Sequence, residues 1–459
     1  MKLLLHSKLF NLQYQRMLPF LLVFFVFLFS WWSNPSLIPK ISPDAYEYLE
    51  LAKNPNDLIS GIGVGIRPIF FPIIIKTSML LSDLYWEQIF SIIQISLHAF
   101  ICLLLYNLYI KIGLRNITAV LITLMIGFNP SLIYYTTYIL ADHLLAVLTT
   151  LSWISMIKSF LIYKENQKIN IYLIISAIFS GLAVITKPVA LLAIIPLLLT
   201  LIYISNKSKK LINVVVIMLL IHFSFHIMWE KYKIYNNPKF SFEIFDHIAL
   251  GINMAALRGG LVDYGKGTEL FNEIEEKKLL SSARDLDISI SYTSDHDTNY
   301  WKIYKSITWE RKNDKMFAKQ IINQAPLHLL LIQMSNWHSF FTKRPFAPGQ
   351  GSFPYLPYTI RKSYLVFYSL LYRPFLICLL ILSFLILWKK KLHGILISSI
   401  GIILYASFSI GMITPHSGEF PRYRVWVEYI MFFCALVPIG LIIENLSNRF
   451  YTSSNRLGK

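Results

Sequence analysis

Apolar runs of about 20 residues, the length that crosses a hydrocarbon core of about 30 Å, alternate along this chain with short clusters of lysine. That rhythm fixes the solvent. So much contiguous apolar sequence folds in a bilayer, where helices satisfy their own backbone groups. Composition agrees: the chain is 55% hydrophobic and 15% charged, against about 45–50% and about 25% for a soluble domain. A net charge of +18 in a soluble protein would suggest nucleic acid. Here the basic residues sit between the apolar runs, as the positive-inside pattern requires, and no nucleic-acid partner is expected.

The runs predict spans at 17–32, 85–110, 117–135, 137–157, 169–186, 189–205, 211–229, 363–388, 394–413 and 425–446. Segment 67–82 carries Pro68, Pro72 and Lys76 and is short for a span. If it does not cross, the lysine-rich sites at 111–115, 158–168, 207–210 and 389–391 all share a side with the basic N-terminus. The charge rule therefore makes it a helix in the outer interface. The expected fold is an all-α polytopic membrane protein of about ten transmembrane helices, with interfacial helices and a large, mostly helical extracytoplasmic loop. Its parts are a membrane module at 1–229 with a first outer loop at 33–84, a loop region at 230–362, and C-terminal membrane helices at 363–459. Both termini are expected in the cytoplasm of a bacterium whose inner membrane holds the chain, with membrane lipids around it. The first run lacks a small-x-small cleavage site and reads as a retained span.

Within the loop region, 270–280 and 301–324 read as charged amphipathic helices and 327–341 as an interfacial helix. The Pro/Gly/aromatic stretch 344–358 reads as a loop. Cys102, Cys378 and Cys434 all lie in apolar runs, so no disulfide braces the loop. The sequence has no GxxxxGK[ST], no HExxH and no paired CxxC, which argues against a nucleotide-driven pump.

Four places could carry chemistry. Asp44 follows Ser42-Pro43 at a helix start, with Glu47 and Tyr48 one turn on; capping alone would also account for it. Asp142 is an acid in an apolar run, a functional signal by default, unless it is exposed at the interface. Lys187 is a lone cation between two outer span ends; it suits an anionic lipid headgroup and equally an ordinary snorkelling lysine. Glu419, Arg422 and Arg424 make a short outer loop basic on the side the charge rule disfavours. Both arginines could face one phosphate if the backbone at Pro421 is irregular.

In order and sidedness these motifs resemble the GT-C superfamily of integral membrane glycosyltransferases, in the branch with the protein O-mannosyltransferases and the lipid A aminoarabinose transferases. Asp44, Tyr48 and Ala52 match a first element, and Arg67-Pro68 with Pro72 a second. Asn129-Pro130 through Asp142 is similar to the region of the family's second outer acid. Thr186-Lys187-Pro188 is similar to a Thr-Arg-Pro turn, with Lys in place of Arg, and Arg422-Tyr423-Arg424 to an Arg-Tyr-Arg before the last span. The Asp-Glu pair of the mannosyltransferases and the proline usual after the last motif are missing here.

The resemblance implies transfer of a sugar from a polyprenyl-phosphate donor to a hydroxyl of a glycan, lipid or protein acceptor, on the extracytoplasmic face and with inversion. Asp44 would be the base and Asp142 a second catalytic acid. Arg67, Lys187, Arg422 and Arg424 would bind the donor phosphate, with Glu47, Tyr48 and Glu419 in the acceptor cleft. No cofactor is required; a divalent cation is compatible, and no residue cluster in the sequence compels a metal site. A lipid-linked polysaccharide polymerase or ligase would instead depend on Arg258, Arg284 and Arg344. A lipid or sugar transporter would show internal repeats and helices broken near mid-membrane, and a receptor or scaffold would leave these charges incidental.

Overall fold

The computed structural model describes residues 2–54, 67–166, 169–204, 209–236, 244–286, 294–312, 314–342, 356–372, 374–413 and 420–457. Among these, the backbone is helical apart from turns and one isolated bridge between Lys40 and Tyr138. The chain divides into two compact units, residues 1–238, 346–403 and 425–459 forming the first and residues 239–345 and 404–424 the second.

In the first unit, α1 (Lys2–Ser33), α2 (Pro43–Lys53), α3 (Phe70–Leu81), α4 (Trp86–Lys111), α5 (Asn116–Gly127), α6 (Pro130–Thr136) and α7 (Ala141–Asn166) follow in order. They are succeeded by α8 (Tyr172–Val184), α9 (Ile194–Ile204) and α10 (Lys209–Asn236). Helix α7 packs along α8, α8 along α10, and α4 against α1, α3 and α5. With 12 residues α3 is roughly 18 Å long at 1.5 Å per residue, too short to cross a bilayer.

Among the described residues, four helices are long and apolar enough to span, or up to six if bent pairs count as one each. The ten expected runs are present as apolar sequence, but several are interrupted. The 117–135 run, expected as one helix, breaks into α5 and α6 at a 56° bend. Pro130 cannot donate to the preceding turn and its ring clashes with that turn's carbonyl, so it starts a new helix. Asn129 caps that helix, accepting from Ser131 N at 2.9 Å. A second break lies at 185–193, where Pro188 opens a short 3-10 turn (Pro188–Ala190) between α8 and α9.

Backbone carbonyls freed at such breaks need donors in a bilayer, and neighbouring helices supply them. His98 Nε2 on α4 reaches Gly127 O at 2.9 Å, and His222 Nε2 on α10 reaches Leu191 O at 2.7 Å. Tyr368 donates to Met125 O at 2.7 Å and Tyr364 donates to Phe128 O at 2.5 Å.

The second unit is a helical body with its own core. It contains α11 (Ile244–Arg258), α12 (Glu269–Glu276), α13 (Leu280–Arg284), α14 (Ser294–Ser306), α15 (Trp309–Lys312), α16 (Lys315–Gln324) and α17 (Pro326–Thr342). Met254, Leu257, Phe271, Ile303, Phe317 and Ile321 are among its fully or nearly buried residues. The helix expected over 301–324 is three pieces, because Asp314 caps a fresh start, accepting from Met316 N and Phe317 N. Helix α11 ends at Gly260, whose φ of +72° and a carbonyl 2.2 Å from where a Cβ would stand admit glycine alone. Later in the sequence come α18 (Tyr358–Leu371), α19 (Pro374–Lys389), α20 (His393–Ile413) and α21 (Phe420–Leu457).

Candidate active site

Four stretches of the first unit come together at one place, and backbone bonds tie them. Lys40 N donates to Thr137 O at 2.7 Å and Ile139 N to Lys40 O at 3.1 Å, a parallel bridge that sets the approach to α2 beside the approach to α7. Phe70 N donates to Ile185 O at 3.1 Å, joining the start of α3 to the turn after α8. Beneath these contacts Leu51, Ile69, Ile185, Trp229 and Tyr232 form a small apolar cluster.

On this frame sit two charge clusters. Helix α2 starts at Pro43, so Asp44 lies in its first turn, as expected. Its carboxylate does more than cap: Arg67 Nη2 lies 3.0 Å from Asp44 Oδ1, and Arg67 Nε donates to Glu47 Oε2 at 2.6 Å. Tyr48 is buried, with its ring 5.2 Å from the Arg67 guanidinium and edge-on to Phe71. It therefore supports Arg67 rather than lining an open cleft. Burial opposes the charge on Arg67; Tyr48, Asp44 and Glu47 outweigh it, so its pKa lies above the ordinary guanidinium value. The side chains of Asp44, Glu47 and Arg67 remain 29%, 56% and 20% exposed, within reach of a ligand.

The second cluster is Asp142 with Lys187, Nζ to Oδ1 at 2.5 Å. Asp142 stands in the first turn of α7 with 2% of its side chain exposed, which overturns the reading of an acid simply left in the interface. Lys187 is not a lone snorkelling cation. The following proline holds it extended, at φ −157°, and this break in the helix aims it at Asp142.

Arg422 and Arg424 belong to the second unit. The condition for both to face one phosphate, an irregular backbone at Pro421, is not met: these residues form the first turns of α21, where a proline loses nothing by lacking its N–H. Residues two apart on a helix do not face alike, so the two arginines diverge. Arg422 is half-buried; Arg424 is buried, with Nη1 donating to Phe340 O at 2.6 Å. Glu419 and Arg344 lie outside the described residues. Arg258 is buried in the second unit's core, and Arg284 is on its surface in a forked pair with Asp263. Among the described residues no group of three His, Cys, Asp or Glu side chains is placed to hold a metal ion.

Several polar groups escaped the sequence reading. Lys40 lies over the Tyr134 and Tyr138 rings, at 5.4 and 5.6 Å from their centroids. Glu428 is fully buried, with Tyr372 donating to it at 3.2 Å. A buried chain runs from Gln94 through His143 and Tyr429 to His98. Because Gly127 O can only accept, His98 carries its proton on Nε2, and Nδ1 accepts from Tyr429 at 2.6 Å. An acid and histidines in apolar runs are a readable signal; Lys40 gives none, since a loop lysine resembles any topogenic charge.

Residues 88–234 match the family model described as "PMT: Dolichyl-phosphate-mannose-protein mannosyltransferase". That segment contains Asn129-Pro130, Asp142 and Lys187, which carry part of the resemblance drawn from the sequence. No curated protein matches the chain. Two solved structures of ArnT from Cupriavidus metallidurans are similar to it. The apo form is 14% identical, with 88% of this chain and 76% of that one covered and a TM-score of 0.35. The form bound to undecaprenyl phosphate is 13% identical, with 87% and 77% covered and a TM-score of 0.35.

Proposed function

We propose that the chain is a membrane glycosyltransferase that moves a sugar from a polyprenyl-phosphate carrier to an acceptor hydroxyl, inverting the anomeric carbon. The observation that carries this reading is the convergence of Asp44–Arg67–Glu47 and Asp142–Lys187 on one backbone-tied frame. The family model over 88–234 and the order of the motifs support the same donor class. A transfer of this kind needs a base for the incoming hydroxyl and fixed cations for the departing phosphate.

Asp44 is the base. At rest Arg67 neutralises it. A donor phosphate competes for Arg67 through the same planar fork, and as Arg67 turns to the phosphate it frees Asp44 to take the acceptor's proton. The oxygen then attacks the anomeric carbon from the face opposite the leaving phosphate. Lys187, held at 2.5 Å by Asp142, contributes positive charge without drifting into lipid. Expected for Asp44→Asn is a loss of about 10²–10⁴-fold in transfer from a polyprenyl-phosphate sugar, with donor binding retained. Near-normal turnover removes Asp44 from this role.

The polymerase or ligase reading loses support from the burial of Arg258 and the pairing of Arg284 with Asp263. The transporter reading keeps the two helix breaks, between α5 and α6 and between α8 and α9. The carbonyls of Met125, Gly127 and Phe128 are already taken by Tyr368, His98 and Tyr364 rather than left to coordinate an ion.

A further inference from the structure

Each of the other two cations on this frame is matched by acids: Arg67 by Asp44 and Glu47, Lys187 by Asp142. Lys40 is different. Among the described residues it is in no ion pair, and its ammonium rests over two aromatic rings. Its backbone is clamped on both sides by the bridge to 137–139, so its position is fixed before any ligand arrives. Four residues on is Asp44, and four residues beyond its bridge partner Tyr138 is Asp142. The hydroxyls of Tyr134 and Tyr138 are 2.6 Å apart. One of them donates to the other, which leaves the acceptor's own O–H directed elsewhere.

We propose that Lys40, with the Tyr134–Tyr138 hydroxyl pair, is an anchor for the phosphate of the lipid-linked substrate. The inference rests on the glycosyltransferase reading and assigns within it a cation that no motif singles out. A compact ammonium binds phosphate as a point charge, and a tyrosine O–H beside it supplies a second donor to the same tetrahedral group. Rings under the ammonium hold it without neutralising it. Half-burial has already removed part of its water and pushes its pKa down from the ordinary lysine value, so an incoming anion restores what burial took. Arg67 and Lys187 must loosen a carboxylate to receive a phosphate; Lys40 need not, and therefore makes the first contact.

The test is binding by the purified full chain to undecaprenyl phosphate, to the neutral alcohol undecaprenol, and to inorganic phosphate as a competitor. Lys40→Gln is expected to weaken undecaprenyl phosphate by about tenfold and leave undecaprenol unchanged, while Lys40→Arg stays within about threefold of the parent. Inorganic phosphate should compete in the parent and not in Lys40→Gln. Competition in both variants alike overturns the anchor. Tyr138→Phe keeps the ring and the backbone bridge and should weaken the phosphate, not the alcohol, by about threefold; it serves if Lys40→Gln fails to fold. Undiminished phosphate affinity in Lys40→Gln, or in Tyr138→Phe where that variant replaces it, overturns the inference while leaving the glycosyltransferase reading intact. A parent protein that binds phosphate and alcohol alike overturns both.

Discussion

The two ion-pair clusters differ in burial, and that difference decides what each substitution does. Asp142 is 2% exposed and Lys187 13%, so removing one partner strands a charge in a dry place, at about 3–5 kcal/mol. Lys187→Met is therefore expected to lower the unfolding midpoint of the detergent-solubilised protein more than Lys187→Met combined with Asp142→Asn. A double mutant less stable than either single would refute a buried pair, since the cycle isolates their coupling. Arg67 meets its acids where water reaches them, and exposed pairs contribute about 0–1 kcal/mol. Arg67→Gln should leave the midpoint nearly unchanged while donor binding weakens. The acids are legible in the sequence as misplaced charges. Their partners are not: Asp142 meets a lysine 45 positions away and Asp44 an arginine 23 positions away, and nothing local specifies either.

At the scale of helices, the site depends on the two breaks. Had α5 and α6 been one straight helix, Tyr134, Tyr138 and Asp142 would follow a different path; had α8 and α9 been one, Lys187 would lie on a helix face. Each break is held by a buried histidine that donates to a freed carbonyl, His98 to Gly127 O and His222 to Leu191 O. His98→Leu is expected to cost about 1–3 kcal/mol through the orphaned carbonyl and to lower transfer activity, although His98 takes no part in the chemistry. Faster amide exchange across 125–139 in that variant, with α8 and α10 unaffected, is the measurement that checks it. Pro130 and Pro188 make both breaks visible in sequence as candidates, but not their consequence. A proline kinks some helices and ends others, and the choice lies with the donors that neighbouring helices bring. The same ambiguity misplaced Arg422 and Arg424. Pro421 reads as a loop residue, and it occupies the first turn of α21, where proline is equally at home.

For the molecule as a whole, the second unit is a helical body whose stability is expected to respond to acid through Glu273. Desolvation would raise Glu273, but Lys277 at 2.5 Å and the backbone N–H and hydroxyl of Thr308 outweigh it and hold its pKa below the ordinary value. A carboxyl with a depressed folded pKa stabilises at pH above its unfolded value, about 4.3, and loses that contribution as pH falls through the folded value. Amide protection over 269–286 and 294–312 should therefore decline below about pH 4.3, and Glu273→Gln should reduce that slope. An unaltered slope would place the acid sensitivity elsewhere. The solvent, the helical class and the residue types able to do chemistry follow from the order of the residues alone. Transfer of apolar side chains into lipid is summed along short stretches, and a charge among them is conspicuous wherever it falls. Where helices stop, which cation meets which acid and, among the described residues, the lack of an acid paired with Lys40 emerge only once the chain is folded. Those outcomes depend on the path of the chain and on donors brought from distant helices, which no local stretch encodes.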